Sequence, residues 1–179
     1  MRRIFIIGYM GSGKTTIGKR LAKVLSLSFI DLDLYIENKY RKTVPALFEE
    51  KGEEEFRKIE SRSLREVAEF EDVVISTGGG TPCFFDNMDI MNRSGLTIYL
   101  EAHPEDLADH LMASKNVRPL IVGKSREELV PYITDHLACR EIHYRKAEII
   151  YPIDRMITKE EIHLTVRGIY EQLKRRDVE

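Results

Sequence analysis

Gly8-Tyr-Met-Gly-Ser-Gly-Lys-Thr15 is the stretch on which the fold turns. It matches the phosphate-binding pattern G-x-x-x-x-G-K-[ST]. The apolar run Ile4-Phe5-Ile6-Ile7 stands just before it, and Ile17, Leu21, Val24 and Leu25 follow at helical spacing. Strand, loop and helix are the context in which such a loop works. Its glycines let backbone N–H groups turn inward around an anion, and the helix N-terminus adds partial positive charge. Lys14 is then placed to reach the β- and γ-phosphates of a nucleotide, with the Thr15 hydroxyl on Mg²⁺. The alternative is a glycine turn that opens an ordinary helix. Composition alone would produce the pattern in roughly one chain in two hundred of this length.

Outward from that loop, apolar runs and helical patterns alternate. Strands are predicted at 3–8, 28–31, 73–76, 97–100 and 148–153. Helices are predicted at 14–25, 34–40, 44–51, 53–70, 86–94, 104–112, 126–146 and 159–175. Ser125…Glu128 and Thr158…Glu161 read as capping boxes that open the last two helices. The alternation predicts an α/β fold, a parallel sheet with helices on both faces. In such folds ligands sit outside the carboxyl ends of the strands. The 179 residues fit a single domain, 42% are hydrophobic and 32% charged, and the net charge is −2. No basic excess suggests nucleic acid as a partner, and no apolar run approaches membrane-spanning length. Cys83 and Cys139 lack metal-ligand spacing and read as reduced thiols, so a cytoplasmic location is expected.

Four further constellations follow. Asp31-Leu32-Asp33 ends the second strand; if the chain stays extended, both carboxylates point the same way, one toward a metal and one toward an acceptor hydroxyl. The alternative is an Asp that caps the next helix. Arg57 and Glu60 are three residues apart and share a helix face, as a surface ion pair or as part of a site. Gly78-Gly79-Gly80 follows the third strand, either because something approaches the backbone closely or as a flexible turn. Arg118 lies in the polar stretch 113–124, which reads as a lid or a solvated loop, and Arg140 lies on the flank of an apolar helical stripe, at the surface or facing a cleft.

Taken together, Gly8–Thr16, Asp31-Leu-Asp33, Gly52–Glu60, Ser76–Gly80, Asn116-Val-Arg-Pro-Leu120 and Arg140–Tyr144 resemble the shikimate kinase family over about four-fifths of the chain. The resemblance implies a three-layer P-loop kinase fold with a five-stranded parallel sheet, in one domain with an acceptor-binding region at about 31–61 and a mobile lid at about 113–124. It implies transfer of the γ-phosphoryl group of MgATP to the 3-hydroxyl of shikimate by a monomer. It assigns ATP phosphates to Gly11, Ser12, Gly13, Lys14, Thr15, Thr16 and the lid residue Arg118, and Mg²⁺ to Thr15 and, through water, Asp31. Asp33 becomes the candidate base, with Lys14 and Arg118 beside the transferred group. The acceptor falls to Asp33, Arg57, Glu60, Gly78, Gly79, Gly80 and Arg140.

The sequence departs from the family in lacking an arginine in Asp109–Lys115, where either His110 or Lys115 substitutes in an adenine contact or the contact is absent; Arg155 is a further candidate neighbour of the adenine. Kinases for gluconate or a nucleoside monophosphate share the loop but need another acceptor pocket. A GTPase switch needs Asn-Lys-x-Asp, whereas Asn38-Lys39 is followed by Tyr40-Arg41.

Overall fold

The computed structural model describes residues 2–113, 123–154 and 158–176. Arg118 and Arg155, and nearly all of the 113–124 stretch, lie outside the described residues. Five strands, β1 (Arg3–Ile7), β2 (Ser28–Asp31), β3 (Val73–Ser76), β4 (Leu96–Ala102) and β5 (Ile149–Ile153), form one parallel sheet in the order β2-β3-β1-β4-β5. The described helices are α1 (Lys14–Leu25), α2 (Leu32–Tyr40), α3 (Val44–Val67), α4 (Asn87–Ser94), α5 (Pro104–Ala113), α6 (Arg126–Tyr144) and α7 (Lys159–Arg176).

The sheet separates two cores, and alternation along β1 shows why. Ile4 and Ile6 join Ile17 and Leu21 of α1 and Val166 and Ile169 of α7 on one face. Phe5 and Ile7 join Phe56 and Leu64 of α3 and Ile133 and Tyr144 of α6 on the other. Strands buried on both faces lack polar alternation, which is what their unbroken apolar runs encode. Both capping boxes form: Ser125 and Glu128 exchange side-chain and backbone bonds, as do Thr158 and Glu161. Among the described residues no helix is long and apolar enough to cross a membrane.

Several boundaries shift by one to three residues from the sequence expectation, and two of the differences have a clear local reason. The chain does not stay extended through Asp33. Asp31 is the N-cap of α2, its side chain accepting from the N–H groups of Asp33 and Leu34, so the helix starts at Leu32. The capping alternative therefore holds, and Leu32 is buried as the apolar member of the triplet. The segments 44–51 and 53–70 run together as α3, but Gly52 breaks the helical geometry at φ 77°, ψ 168°. That break sets Phe48 face to face with Phe56, ring centroids 4.1 Å apart.

Gly52 has open space where a Cβ would stand, so only its backbone conformation resists substitution. Gly52→Ala should cost about 1–3 kcal/mol, because positive φ with ψ of about 180° is a region that essentially only glycine adopts. Chemical denaturation checks this; an unchanged midpoint would show that the break is not a fixed hinge.

Candidate active site

The loop after β1 opens in the middle of the carboxyl edge, because β1 is flanked by β3 and β4. Its turn is held from within: Ser12 N–H donates to the Tyr9 carbonyl at 3.2 Å and Lys14 Nζ donates to the same oxygen at 2.8 Å. Gly13 sits at the N-cap of α1 with φ 79°, aiming the first free N–H groups of the helix into the loop. Ser12 is fully buried, yet its Oγ has no hydrogen-bond partner among the described residues. An orphaned hydroxyl inside a ring of inward N–H groups suits phosphate oxygens. Thr16 is exposed at the rim.

Thr15 Oγ1 donates to Asp31 Oδ2 at 2.7 Å. The other carboxylate oxygen of Asp31 is committed to the α2 cap, so Asp31 presents one oxygen to the loop. A hydroxyl beside a carboxylate is a hard-oxygen pair of the kind Mg²⁺ takes alongside phosphates and water. His110 Nδ1 donates to the Gly11 carbonyl at 3.0 Å, so this residue braces the phosphate loop from α5.

β3 lies next to β1, and the two loops that leave them touch. Each of the three glycines after β3 abuts a different charged group. A Cβ on Gly78 would stand 3.0 Å from both Asp33 Oδ1 and Glu60 Oε1. One on Gly79 would meet the Met10 N–H at 3.3 Å and Arg140 Nη1 at 3.5 Å, and one on Gly80 would fall 2.6 Å from Arg57 Nη1. The glycines are therefore a crossing point for charged side chains from α2, α3 and α6. A buried network fixes the turn, with Ser61 Oγ donating to Asn87 Oδ1 and Asn87 Nδ2 to the Thr81 carbonyl.

Arg57 and Glu60 are not a surface pair. Their side chains are only 11% and 2% exposed, and Nη1 lies 3.0 Å from Glu60 Oε2. Thr81 Oγ1 donates to the other oxygen of Glu60 at 2.7 Å. Glu53 holds Nη2 of Arg57 at 3.3 Å, and the Phe84 ring lies 4.2 Å from the guanidinium carbon. The Nε of Arg57 is buried with no partner among the described residues. Arg140 stands across from it on α6, its guanidinium 5.7 Å from the Tyr9 ring centroid, and Tyr144 one turn on donates to the Gly79 carbonyl at 2.5 Å. A cleft of about 780 Å³ lies between the two arginines, lined also by Phe48, Glu53, Tyr132 and His136. Two guanidiniums on one cleft, which Glu49 and Glu53 also line, can take an anionic group in bidentate fashion.

Burial pushes Asp33 up to about 6, helped by the negative charges of Glu60 and Asp31 and opposed by Lys14. Burial also raises the Cys83 thiol, against the pull of Arg140 and Arg57, and lowers His136 together with Arg140. Asp33 is ionised at neutral pH but close enough to it to accept a proton.

The sequence model described as shikimate kinase matches residues 10–170. The chain belongs to the shikimate kinase family. The shikimate kinase of Parabacteroides distasonis is 55% identical over 163 residues, 91% of this chain and 94% of that one. That of Phocaeicola vulgatus is 50% identical over 98% of this chain and all of its own. Among solved structures, the shikimate kinase of Bacteroides thetaiotaomicron is 48% identical with a TM-score of 0.93, covering 97% of this chain and 98% of its own. The Acinetobacter baumannii shikimate kinase in complex with shikimate is 30% identical with a TM-score of 0.82, covering 98% and 94%. The P-loop kinase fold with its five-stranded parallel sheet is that of these shikimate kinases.

For this shikimate kinase family member, the sequence-predicted Lys14, Thr15, Asp31, Asp33, Arg57, Glu60, Gly78, Gly79, Gly80 and Arg140 all gather at the carboxyl edge. Sequence reasoning missed Glu53, Phe84, His136 and the Asn87 brace. The spacing of His136, Arg140 and Tyr144, one helical turn apart each, is the signal that marks them as one face of α6.

Asp33 also makes stability depend on pH. Between its ordinary 3.8 and about 6 the folded protein keeps a proton that the unfolded chain has released. This contribution therefore weakens as pH rises through that window. The stability of Asp33→Asn relative to the parent should rise from about pH 4 to about pH 7.5, in urea unfolding curves. Parallel curves would show that Asp33 is not buried in its charged form.

Proposed function

We propose that the protein transfers the γ-phosphoryl group of MgATP to the 3-hydroxyl of shikimate, giving shikimate 3-phosphate and ADP in the route to chorismate and the aromatic amino acids. The observation that carries this is the placing of Arg57 and Arg140 on one cleft with Asp33 beside them and the Lys14 loop against the same glycines. Membership of the shikimate kinase family supports it throughout.

In this reading the backbone of Gly11–Thr16 cradles the phosphates, the Ser12 hydroxyl gains the partner it lacks, and Lys14 grips the β- and γ-phosphates. Thr15 and, through water, Asp31 hold Mg²⁺, which when bound neutralises charge on the phosphate oxygens. Arg57 and Arg140 take the carboxylate of shikimate, with the Gly79 amide, and the Nε of Arg57 supplies a donor that the protein leaves unmatched. Glu60 keeps Arg57 in place. Asp33 orients the 3-hydroxyl and takes its proton as the phosphoryl group arrives. Arg118, by its place in the Arg-Pro-Leu segment, closes over the transferred group, and Arg155 neighbours the adenine. Exclusion of water keeps ATP from hydrolysis before shikimate is in place. The proposal carries with it a monomer in the cytoplasm.

An ADP-coupled assay with MgATP tests it: shikimate should be turned over, and gluconate and nucleoside monophosphates should not. ADP formation that ignores shikimate would contradict it. Lys14→Ala should abolish turnover. Arg140→Ala should weaken shikimate binding by roughly 1.5–3 kcal/mol, the worth of a charged hydrogen bond, with little change for ATP. An unchanged KM for shikimate would remove Arg140 from the acceptor site. Arg118→Ala should lower kcat more than it raises KM. The pH profile of kcat/KM should fall on the acid side near 6, where Asp33 gains its proton.

A further inference from the structure

Tyr9 is the second residue of the phosphate loop, yet its side chain leaves the loop. It is 1% exposed and runs into the core against α6. There its hydroxyl shares a 2.8 Å hydrogen bond with His136 Nδ1, and the imidazole stands edge-on to its ring at 5.6 Å and 87°. The opposite end of the same residue, its carbonyl, accepts from Lys14 Nζ and from the Ser12 N–H. His136 lines the cleft with Arg140 one helical turn away, and the Arg140 guanidinium also rests near the Tyr9 ring. One buried residue thus touches the ammonium that faces the nucleotide and the helix that walls the acceptor cleft.

We infer that Tyr9 and His136 form a positioning pair that couples occupancy of the phosphate loop to the placing of α6 and Arg140, so that bound nucleotide tightens the acceptor site. The inference rests on the phosphoryl-transfer reading above. Neither residue touches a reacting atom; both act through Lys14 and Arg140. Nucleotide phosphates draw on the same ammonium that the Tyr9 carbonyl holds, so filling the loop changes the load on Tyr9. The ring is packed on all sides and its hydroxyl is tied to His136, which leaves α6 as the element that responds. α6 has a second anchor in the Tyr144 bond to Gly79, so loss of the Tyr9–His136 bond loosens one attachment and leaves the other. Coupling between two ligands is reciprocal, so shikimate should tighten nucleotide binding by the same factor.

The test is a set of shikimate titrations by calorimetry, each with and without Mg²⁺ and a non-hydrolysable ATP analogue. The proteins are the parent, Tyr9→Phe, His136→Phe, the double variant and His136→Asn. The parent should bind shikimate more tightly with the analogue present. Each single variant should lose about fivefold of that enhancement, the worth of one hydrogen bond, read as the ratio of its own affinities with and without the analogue. The double variant should lose no more than either single one. His136→Asn, which returns an oxygen near the Nδ1 position, should recover most of the loss.

Losses that add in the double variant would overturn the inference. So would an unchanged enhancement in both single variants, even if their melting temperatures fall, because that is the signature of a packing role alone. A parent that binds shikimate equally with and without the analogue would also overturn it. Should His136→Phe fail to fold, Tyr9→Phe and His136→Asn decide the matter by the same ratios. Shikimate-dependent ADP formation by the parent is measured first. Its absence would remove the underlying function, whereas its presence with unaltered coupling would remove only the Tyr9–His136 role.

Discussion

The cleft between α3 and α6 depends on a buried ion pair, Arg57 with Glu60. Two charges withdrawn from water are favourable only where every remaining polar atom is matched. Here Thr81 satisfies the second oxygen of Glu60, Glu53 meets one edge of the guanidinium, and Phe84 covers a face of it. Removing one partner of such a pair costs about 3–5 kcal/mol, because the other charge is stranded. The pair is therefore poor as simple glue. What it supplies is a guanidinium fixed in direction, with Nε left over beside the cleft.

That pair in turn explains the three consecutive glycines. A parallel sheet in which β3 adjoins β1 brings the turn after Ser76 against the phosphate loop, and α2, α3 and α6 deliver their charged side chains to the same spot. Any Cβ at Gly80 would lie inside the van der Waals shell of Arg57, and one at Gly78 would press on two carboxylates at once. Burial lifts Asp33 toward neutrality and the crowding of negative charge there adds to it, so the same packing shapes the geometry and the proton affinity of the site.

The fold and the shape of the phosphate loop were legible in the sequence because both are local. The phosphate loop, the apolar strands and the capping boxes are read within a few residues of themselves, and Gly52 already separated two helical patterns that the structure joins across a break. The cleft between α3 and α6 was legible only in part. Spacing put Arg57 and Glu60 on one face, but their burial depends on Thr81, which arrives from a different loop. Arg140 stayed open between surface and cleft because its helix packs on distant elements. Asp31 caps α2 with one oxygen and accepts from Thr15 with the other, so the capping reading holds and its role toward a metal belongs to the proposed function. The Tyr9–His136 bond joins positions 127 residues apart, and no pattern along the chain announces it.

The central claim is that Arg57 and Arg140 converge on one carboxylate while Asp33 meets the hydroxyl that is phosphorylated. A crystal structure of this protein with shikimate and ADP bound tests it most directly. The account predicts the carboxylate within hydrogen-bond distance of both guanidiniums and the 3-hydroxyl on Asp33, turned toward the phosphate loop. Shikimate bound elsewhere, or held with its carboxylate away from either arginine, would contradict it.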